Sequence, residues 1–360
     1  MKNKRTLMVI GSVALVLVLA AIPFMTACAK PAPAPTPEVI EWKIATYMTQ
    51  VSPFTQADQR WAKELERLSN GRIKVTWFFG GSLVGGKEEL GAVRTGVCDQ
   101  AQPAPGYTPA ELPLFGITSL PMLAPPRIAH ECLIMNEVVK LPEMIAELEK
   151  QGVVLAYWES SPATRLMGNV AIRKVEDFKD IRVRSYGKVV DLVKAVGGVP
   201  MSTPIAEAWT ALNTGLSDVN AQSGRPSFYT HKTYEISKYY MQDIPLAGAG
   251  NVGIINKASW DALPDDIKAI IVALREQMPK FRQDALESPE DIAKWEAAFR
   301  EAGVEFISTP PEEIAKLGAA SKPIWDEWVA KNKDVGAKKV LDEFLRLKPI
   351  IIAKFPYGVK

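Results

Sequence analysis

The sequence predicts an α/β protein of two lobes, with a ligand cleft between the lobes and long C-terminal helices. Strand patterns alternate with helix patterns over residues 41–158, which is typical of an α/β sheet. The alternation starts afresh after residue 160, and long helical periodicity follows from Pro264. Two blocks with their own strands indicate two lobes, and a cleft between lobes is a natural site for a small molecule.

Apolar spacing predicts the elements of the first block. Residues 41–48 alternate as a strand does, and the apolar residues from Phe54 to Leu68 recur at helical spacing until Asn70-Gly71 ends the helix. The pattern then predicts strands at 72–78, 97–101 and 153–158, and helices at 86–96 and twice within 126–151.

The second block has the same kinds of signal. Strands are predicted at 180–185 and 252–256, and helices at 188–196, 206–214, 311–330 and 335–347. Residues 264–300 form one long helical pattern, which Pro279 should kink or interrupt because proline has no amide hydrogen to donate. We place lobe I at residues 40–160 and about 248–290, and lobe II at residues 161–247 and about 291–360.

The N-terminus has the features of an exported protein. A short basic region is followed by an uncharged apolar run, residues 6–27, which is typical of a secretory signal peptide. The run is also long enough to remain as a membrane anchor. The sequence Met25-Thr26-Ala27-Cys28 resembles the lipobox of bacterial lipoproteins, which favours a cleaved signal peptide, residues 1–27, and a lipid-modified Cys28.

Residues 28–39 are rich in proline and alanine and predict a semi-rigid tether between a lipid anchor and the folded part.

The chain has 43 Lys and Arg, three of them in the leader, against 41 Asp and Glu, so the exported chain carries a net charge of about −1. This balance gives no basic excess for nucleic acid. Cys98 and Cys132 remain after the leader, and the sequence leaves open whether they form a disulfide.

Four segments point to one family. They are Leu68-Ser-Asn-Gly-Arg-Ile-Lys-Val75 with Ala92-Val-Arg-Thr-Gly96, then Leu120-Pro121, the block from Glu176 to Asp218, and Trp260-Asp-Ala-Leu-Pro264. In this order and spacing they resemble the DctP-type substrate-binding subunits of tripartite ATP-independent periplasmic (TRAP) transporters. The resemblance implies a periplasmic-binding-protein-like fold outside the cytoplasm. It also implies capture of a small organic acid, delivery to an ion-driven membrane permease, and no enzyme activity or cofactor.

The central block implies the main site residue. The family pattern is Asp-Leu-Lys-Gly-Leu-Lys-Ile-Arg-Val, and we align Ile181-Arg182-Val183 with its last three residues, which omits the pattern's Gly-Leu-Lys. Arg182 then falls on the family's ligand arginine. A guanidinium matches a carboxylate with two parallel hydrogen bonds, so Arg182 is expected to clamp the ligand.

Other positions are weighed against structural roles. Arg165 matches a second family arginine, or forms a structural salt bridge. Gln222 stands where many members have a polar Asn, or is a solvated loop residue. Trp209 replaces a Tyr of the family, or is a core aromatic residue. Near predicted strand ends of lobe I, the candidates for lining the pocket are Tyr47, Tyr107 and Trp158. Arg184 and Arg225 are less specific cationic candidates.

Catalytic and metal signals are weak. Gly81 to Lys87 fits half of a phosphate loop, but Glu88 stands where Ser or Thr must bind magnesium. Two histidines, His130 and His231, leave few candidates for a triad or a zinc site. We expect no metal site, although a metal ion bridging the ligand is known among keto-acid relatives. The alternatives left open are a binding lipoprotein for another importer or sensor, and an exported enzyme.

Overall fold

The computed structural model describes residues 39–359. The predicted signal peptide, Cys28 and the tether as far as residue 38 lie outside the described residues. The described residues from Ile40 onward form one compact unit. None of the helices within the described range combines the length and the apolar composition that crossing a bilayer requires.

The predicted α/β class is confirmed. The strands between residues 39 and 359 are β1 (Ile40–Ala45), β2 (Ile73–Phe78), β3 (Gln100–Ala101), β4 (Val153–Ser161), β5 (Arg165–Gly168), β6 (Arg182–Ser185), β7 (Val199–Ser202), β8 (Val219–Gln222), β9 (Tyr239–Met241), β10 (Ala249–Asn256) and β11 (Glu305–Ile307). They form two sheets, in the orders β2-β1-β3-β10-β4 and β11-β9-β5-β8-β6-β7.

Helices surround both sheets. In the described part they are α1 (Pro53–Leu68), α2 (Glu89–Arg94), α3 (Ile128–Val138), α4 (Pro142–Lys150), α5 (Val189–Ala195), α6 (Ala208–Asn213), α7 (Gly224–Thr230), α8 (Lys257–Ala262), α9 (Asp265–Arg275), α10 (Met278–Leu286), α11 (Pro289–Glu301), α12 (Pro311–Lys331) and α13 (Ala337–Lys354). Short 3₁₀ turns lie at Pro105–Tyr107, Phe115–Ser119, Val175–Phe178, Ile205–Glu207, Thr233–Ile236 and Lys333–Val335.

Local chemistry explains where elements start and stop. Helix α1 begins because the Ser52 hydroxyl accepts a hydrogen bond from the Phe54 amide and Pro53 occupies the first helical position. The long pattern over residues 264–300 is three helices, α9 to α11. Pro279 stands in the first turn of α10, where no amide donor is needed, so the predicted interruption is confirmed.

The two sheets exchange chain segments. Strand β10 comes late in the sequence but lies inside the first sheet, antiparallel to β3 and β4. The chain therefore passes between the sheets after β4 and again before β10. These two crossings pair directly, since the Thr164 amide donates to the Ala247 carbonyl at 2.8 Å and the Leu246 amide donates to the Thr164 carbonyl at 2.9 Å. The pairing ties the two lobes together behind the cleft.

The packing of the C-terminus differs from the predicted lobe boundary. Helix α13 buries Val340, Phe344 and Ile351 in the hydrophobic cluster of the first sheet, not the second. Helix α12 contacts the hydrophobic clusters of both sheets, because Leu317 packs in the core of the second sheet and Trp328 in that of the first. The sequence assigned all of residues 291–360 to lobe II because helical periodicity shows which face is buried but not against which sheet.

Cys98 and Cys132 are both buried and free, and burial raises the pKa of each thiol to about 12. We therefore expect a protein that lacks residues 1–28 to keep its melting temperature when a reductant is added. Two thiols should react with a thiol reagent in denaturant, and almost none in native buffer. A reductant-dependent melting temperature would contradict this assignment.

Candidate functional site

A cavity lies between the two sheets, in front of the chain crossings. The first lobe contributes β1–α1 and β3–α3 connections, and the second contributes β6, α7 and the turn at Ile205–Glu207. Measured as the volume open to the centres of water molecules, it is about 70 Å³. One water needs ~10–15 Å³ on this measure, so the cavity admits a compact molecule and not a long chain.

Arg184 is the one arginine or lysine that lines this cavity among the described residues. It lies on β6 and is fully buried. Its guanidinium donates to backbone carbonyls, from Nε to Thr203 at 3.1 Å and from Nη1 to Ala221 at 3.1 Å. No carboxylate of the described residues lies within ion-pair distance of it, and burial lowers its pKa. A buried cation held only by dipoles favours an anion in the cavity.

Several hydroxyl groups lie on the same side of the cavity as Arg184. The Tyr186 ring lies 5.7 Å from the Arg184 guanidinium carbon. The Tyr186 hydroxyl is within hydrogen-bond distance of the Thr164 hydroxyl, at 2.9 Å, and of the Ser223 hydroxyl, at 3.2 Å. Ser227 also lines the cavity. These groups can donate to a carboxylate oxygen that Arg184 holds.

The first lobe supplies two tyrosines that the sequence indicated. Tyr47 and Tyr107 line the cavity, with ring centres 6.0 Å apart. The Tyr107 hydroxyl accepts a hydrogen bond from the Ile205 amide at 3.2 Å and so joins the two lobes across the cleft. The Tyr47 hydroxyl lies 3.5 Å from the side-chain oxygen of Asn251, which lines the cavity as well. The sequence pattern contained no signal for Asn251.

Apolar side chains close the rest of the cavity. Phe54 and Phe115 are both part of the lining. Trp158, an expected lining residue, lies one layer behind. Its ring stacks on Phe115 at 6.1 Å between centres, and its indole nitrogen donates to the Ser160 hydroxyl at 2.8 Å. Trp158 therefore supports the wall of the cavity and does not form it.

Arg182 does not reach the cavity, so the predicted carboxylate clamp at this residue is corrected. It lies at the outer end of β6 with 47% of its side chain exposed. Its Nε donates to Asp218 Oδ2 at 2.9 Å and its Nη2 donates to Asp218 Oδ1 at 2.5 Å. Arg182 lowers the pKa of Asp218. Both sides of the fork are thus occupied by a carboxylate of the chain itself.

The error was one of alignment. Asp180 has a φ of 62°, a left-handed conformation that glycine adopts most easily. If Asp180 stands at the Gly of the family pattern, Asp177 to Ser185 align without a gap. Arg182 then falls on the pattern's Lys, and Arg184 falls on its Arg. Arg184 is therefore both the residue at the Arg of the ungapped pattern and the arginine that lines the cavity.

The remaining candidates lie outside the cavity. Gln222 is buried, and its side chain donates to the Thr233 hydroxyl at 3.0 Å and accepts from Ser227 at 3.1 Å, so it positions Ser227. Trp209 lies on α6, partly exposed and away from the cavity lining. Arg165 lies on β5, donates from Nε to the Gln242 carbonyl at 2.9 Å, and lines a separate cavity. No group of three or more metal-ligating side chains occurs within residues 39–359.

A model of the bacterial extracellular solute-binding proteins, family 7, matches residues 44–332. This match covers most of the chain. The chain belongs to this family. Proteins of family 7 are solute-binding receptors and not enzymes, and they act outside the cytoplasm.

Individual proteins are similar to this chain over most of its length. The C4-dicarboxylate-binding periplasmic protein DctP of Rhodobacter capsulatus is 26% identical over 320 residues, 84% of this chain and 91% of its own. The solved structure of DctP6 from Bordetella pertussis, a receptor binding pyroglutamic acid, has a TM-score of 0.75 at 22% identity and covers 85% and 100% of the two chains. A marine metagenome receptor specific for aromatic acid ligands has a TM-score of 0.77 at 18% identity, covering 87% and 99%.

A buried carboxylate holds part of the cleft wall. Glu147 on α4 accepts hydrogen bonds from the Leu114 amide at 2.9 Å and the Phe115 amide at 3.3 Å, just before the turn at Phe115–Ser119. Burial raises the pKa of Glu147 to about 7. The folded state therefore keeps this proton at pH values where the unfolded chain has lost it.

We expect stability from protonated Glu147 to be full below about pH 4.5 and to be lost as the pH rises through 7. The variant Glu147→Gln should show a smaller fall in unfolding free energy between pH 5 and 8, by roughly 1–3 kcal/mol. Chemical denaturation at several pH values measures the unfolding free energy of both proteins. The matched control is Glu137→Gln, an exposed glutamate on α3. An equal pH slope in Glu147→Gln and the wild type would contradict the argument.

Proposed function

We propose that this protein is the extracytoplasmic receptor of a TRAP transporter and binds a small monocarboxylate through Arg184. The single observation that carries the proposal is the buried guanidinium in the cleft, which has no carboxylate of the described residues within ion-pair distance. An anionic ligand supplies that charge, and the desolvated pair gives both affinity and orientation.

The side chains that line the cavity favour a ligand with one carboxylate over a ligand with two. Arg184 is the one basic side chain around the cavity in the described range, so a second carboxylate would be buried without a cation. Tyr47, Tyr107 and Phe115 offer flat apolar surfaces, and Asn251 offers an amide. These features suit a compact acid with a ring or a short apolar body and one further polar group. The ligands of two structural relatives, pyroglutamic acid and aromatic acids, fit this description.

Delivery and anchoring complete the proposal. The receptor would carry its ligand to a membrane permease driven by an ion gradient, as the TRAP resemblance implies. Lipidation of Cys28 would hold it at the membrane, with residues 28–39 as a tether. Cys28→Ser tests the anchor: the variant should leave the membrane fraction after cell breakage, whereas the wild type stays. Retention of Cys28→Ser in the membrane would favour an uncleaved anchor helix.

Thermal shifts against a panel of organic acids test the ligand class. A ligand at 100 times its dissociation constant adds ~2.7 kcal/mol to stability, a readily measured shift. We expect a shift from a cyclic or aromatic monocarboxylate, a smaller one from C4-dicarboxylates, and no chemical change in the recovered acid. A dicarboxylate that binds best would overturn the monocarboxylate assignment. Turnover of the acid would overturn the receptor function.

The chief alternative is a binding lipoprotein for another importer or a sensor. Binding in the cleft would be the same, so binding data do not distinguish the two. Uptake of the identified acid does, because a TRAP permease loses uptake when the ion gradient is collapsed. Uptake that persists without the gradient would favour an ATP-driven partner.

A further inference from the structure

A second cavity lies behind the chain crossings. We call it the hinge cavity and define it by Arg127, Glu131, Arg165, Arg225 and Tyr240. Ser161 is the one lining residue that it shares with the cleft cavity. Its volume is about 130 Å³ on the measure used for the cleft. Its walls come from both lobes. Arg127 precedes α3 and Glu131 lies on it, while Arg165, Arg225 and Tyr240 belong to β5, α7 and β9.

Arg165 brings an uncompensated charge to this cavity. It donates to two backbone carbonyls, from Nε to Gln242 at 2.9 Å and from Nη1 to Thr164 at 3.4 Å. Among the residues that the structure describes, no carboxylate lies within 4 Å of its guanidinium. Burial lowers its pKa most and the neighbouring Arg225 lowers it further, while Tyr240 and Asp243 raise it and offset only part of this effect. A second cation close to a half-buried arginine is unfavourable unless an anion lies between them.

Tyr240 supplies a donor that lacks an acceptor. Its side chain is fully buried, and its hydroxyl has no hydrogen-bond partner within residues 39–359. An unpaired buried hydroxyl costs free energy that a bound acceptor would recover. The guanidinium carbon of Arg225 lies 5.6 Å from the Tyr240 ring centre, and both residues line the hinge cavity together with Arg165.

The other charges of the hinge cavity nearly cancel. Arg225 pairs with Glu296 at 2.7 Å, and Arg127 lies 3.9 Å from Glu287. Burial raises the pKa of Glu131 to about 8, so it is largely protonated at neutral pH. Among the side chains that line the hinge cavity, the charge that remains is that of Arg165, which matches one negative charge, and Asp243 lies outside this lining.

We propose that the hinge cavity is a second site, which binds a small monovalent anion between Arg165, Arg225 and the Tyr240 hydroxyl. The site is separate from the ligand cleft and does not depend on the proposed function. Because its walls come from both lobes, the affinity for the anion depends on how the lobes are placed. A ligand that changes the placement of the lobes therefore changes the affinity for the anion. By linkage, the anion changes the affinity of the cleft for that ligand by the same factor.

Bromide is the probe, exchanged for fluoride at constant ionic strength while thermal unfolding of the purified protein is followed. We expect a saturable rise in melting temperature for the wild type and for Arg184→Gln, which removes the cleft cation. In Arg165→Gln the apparent bromide affinity should fall at least tenfold. Tyr240→Phe keeps the packing, and in this variant the apparent bromide affinity should fall about threefold. Arg173→Gln, which removes an exposed arginine of the same lobe, is the matched control and should behave as wild type.

Anomalous diffraction from bromide-soaked crystals locates the ion. A peak beside Arg165 and Tyr240 is expected. A saturable effect that survives Arg165→Gln, a peak only beside Arg184, or no saturable effect in the wild type would each overturn the proposal. If Arg165→Gln does not fold, the Tyr240→Phe titration and the diffraction peak still decide. Failure here leaves the cleft function intact, since that depends on Arg184.

Discussion

Arg184→Gln is expected to abolish tight binding of the organic acid, while Arg182→Gln leaves it unchanged. Both arginines lie on β6 and are two residues apart, so they share one face of the strand. Arg184 is buried in the cleft without a carboxylate, whereas Arg182 is paired with Asp218 at the protein surface. Losing a desolvated charge pair costs ~2–5 kcal/mol, which corresponds to a loss of ~30-fold to several thousandfold in affinity.

Isothermal titration with the acid identified from the panel measures both variants. Arg184→Lys separates charge from geometry: it keeps the cation but not the planar fork, so we expect an intermediate loss. Circular dichroism and thermal unfolding must first show that Arg184→Gln is folded, because it removes donors to the Thr203 and Ala221 carbonyls. Equal losses in Arg182→Gln and Arg184→Gln, or a loss in Arg182→Gln alone, would overturn the assignment of the clamp.

The long elements of the fold could be predicted from the sequence because their apolar periodicity extends over many residues. Strand β1 and helix α1 agree with their predicted ranges to within about three residues. Strands β5, β7, β8, β9 and β11 were not predicted. Each has only three or four residues. A period of two is not measurable over so short a stretch, and these strands gain their pairing from neighbours far away in the sequence.

The site was only partly predictable for a different reason. Tyr47 and Tyr107 were found because side chains near strand ends tend to line the cleft of an α/β protein. The gapped alignment favours Arg182 over Arg184 because the glycine-like backbone of Asp180 is visible only in the structure. Gln222 was overrated because a polar residue at the end of a strand does not reveal its partner. Here the partners are Thr233 and Ser227, within the protein.

Arg282→Met is expected to destabilise the first lobe by ~3–5 kcal/mol. Arg282 on α10 is fully buried and its Nη1 donates to Glu159 at 3.0 Å, with Asp58 at 3.9 Å. Its Nε also donates to the Ser160 carbonyl at 2.9 Å. One guanidinium thus lies beside two buried carboxylates, Glu159 and Asp58. Burial raises the pKa of each. Without it, both carboxylates are buried with no cation, and strand β4 loses its tie to α10.

Arg60→Met is the matched control, because Arg60 on α1 pairs with Asp284 on the same helix α10. Its side chain is 50% exposed, so solvent screens the pair and its loss should cost less than ~1 kcal/mol. Urea denaturation compares the two variants. The cost of Arg282→Met should be smaller at pH 5 than at pH 8, because Glu159 and Asp58 can then take up protons and become neutral. Equal costs for Arg282→Met and Arg60→Met, or a cost independent of pH, would show that packing, not uncompensated charge, dominates at this position.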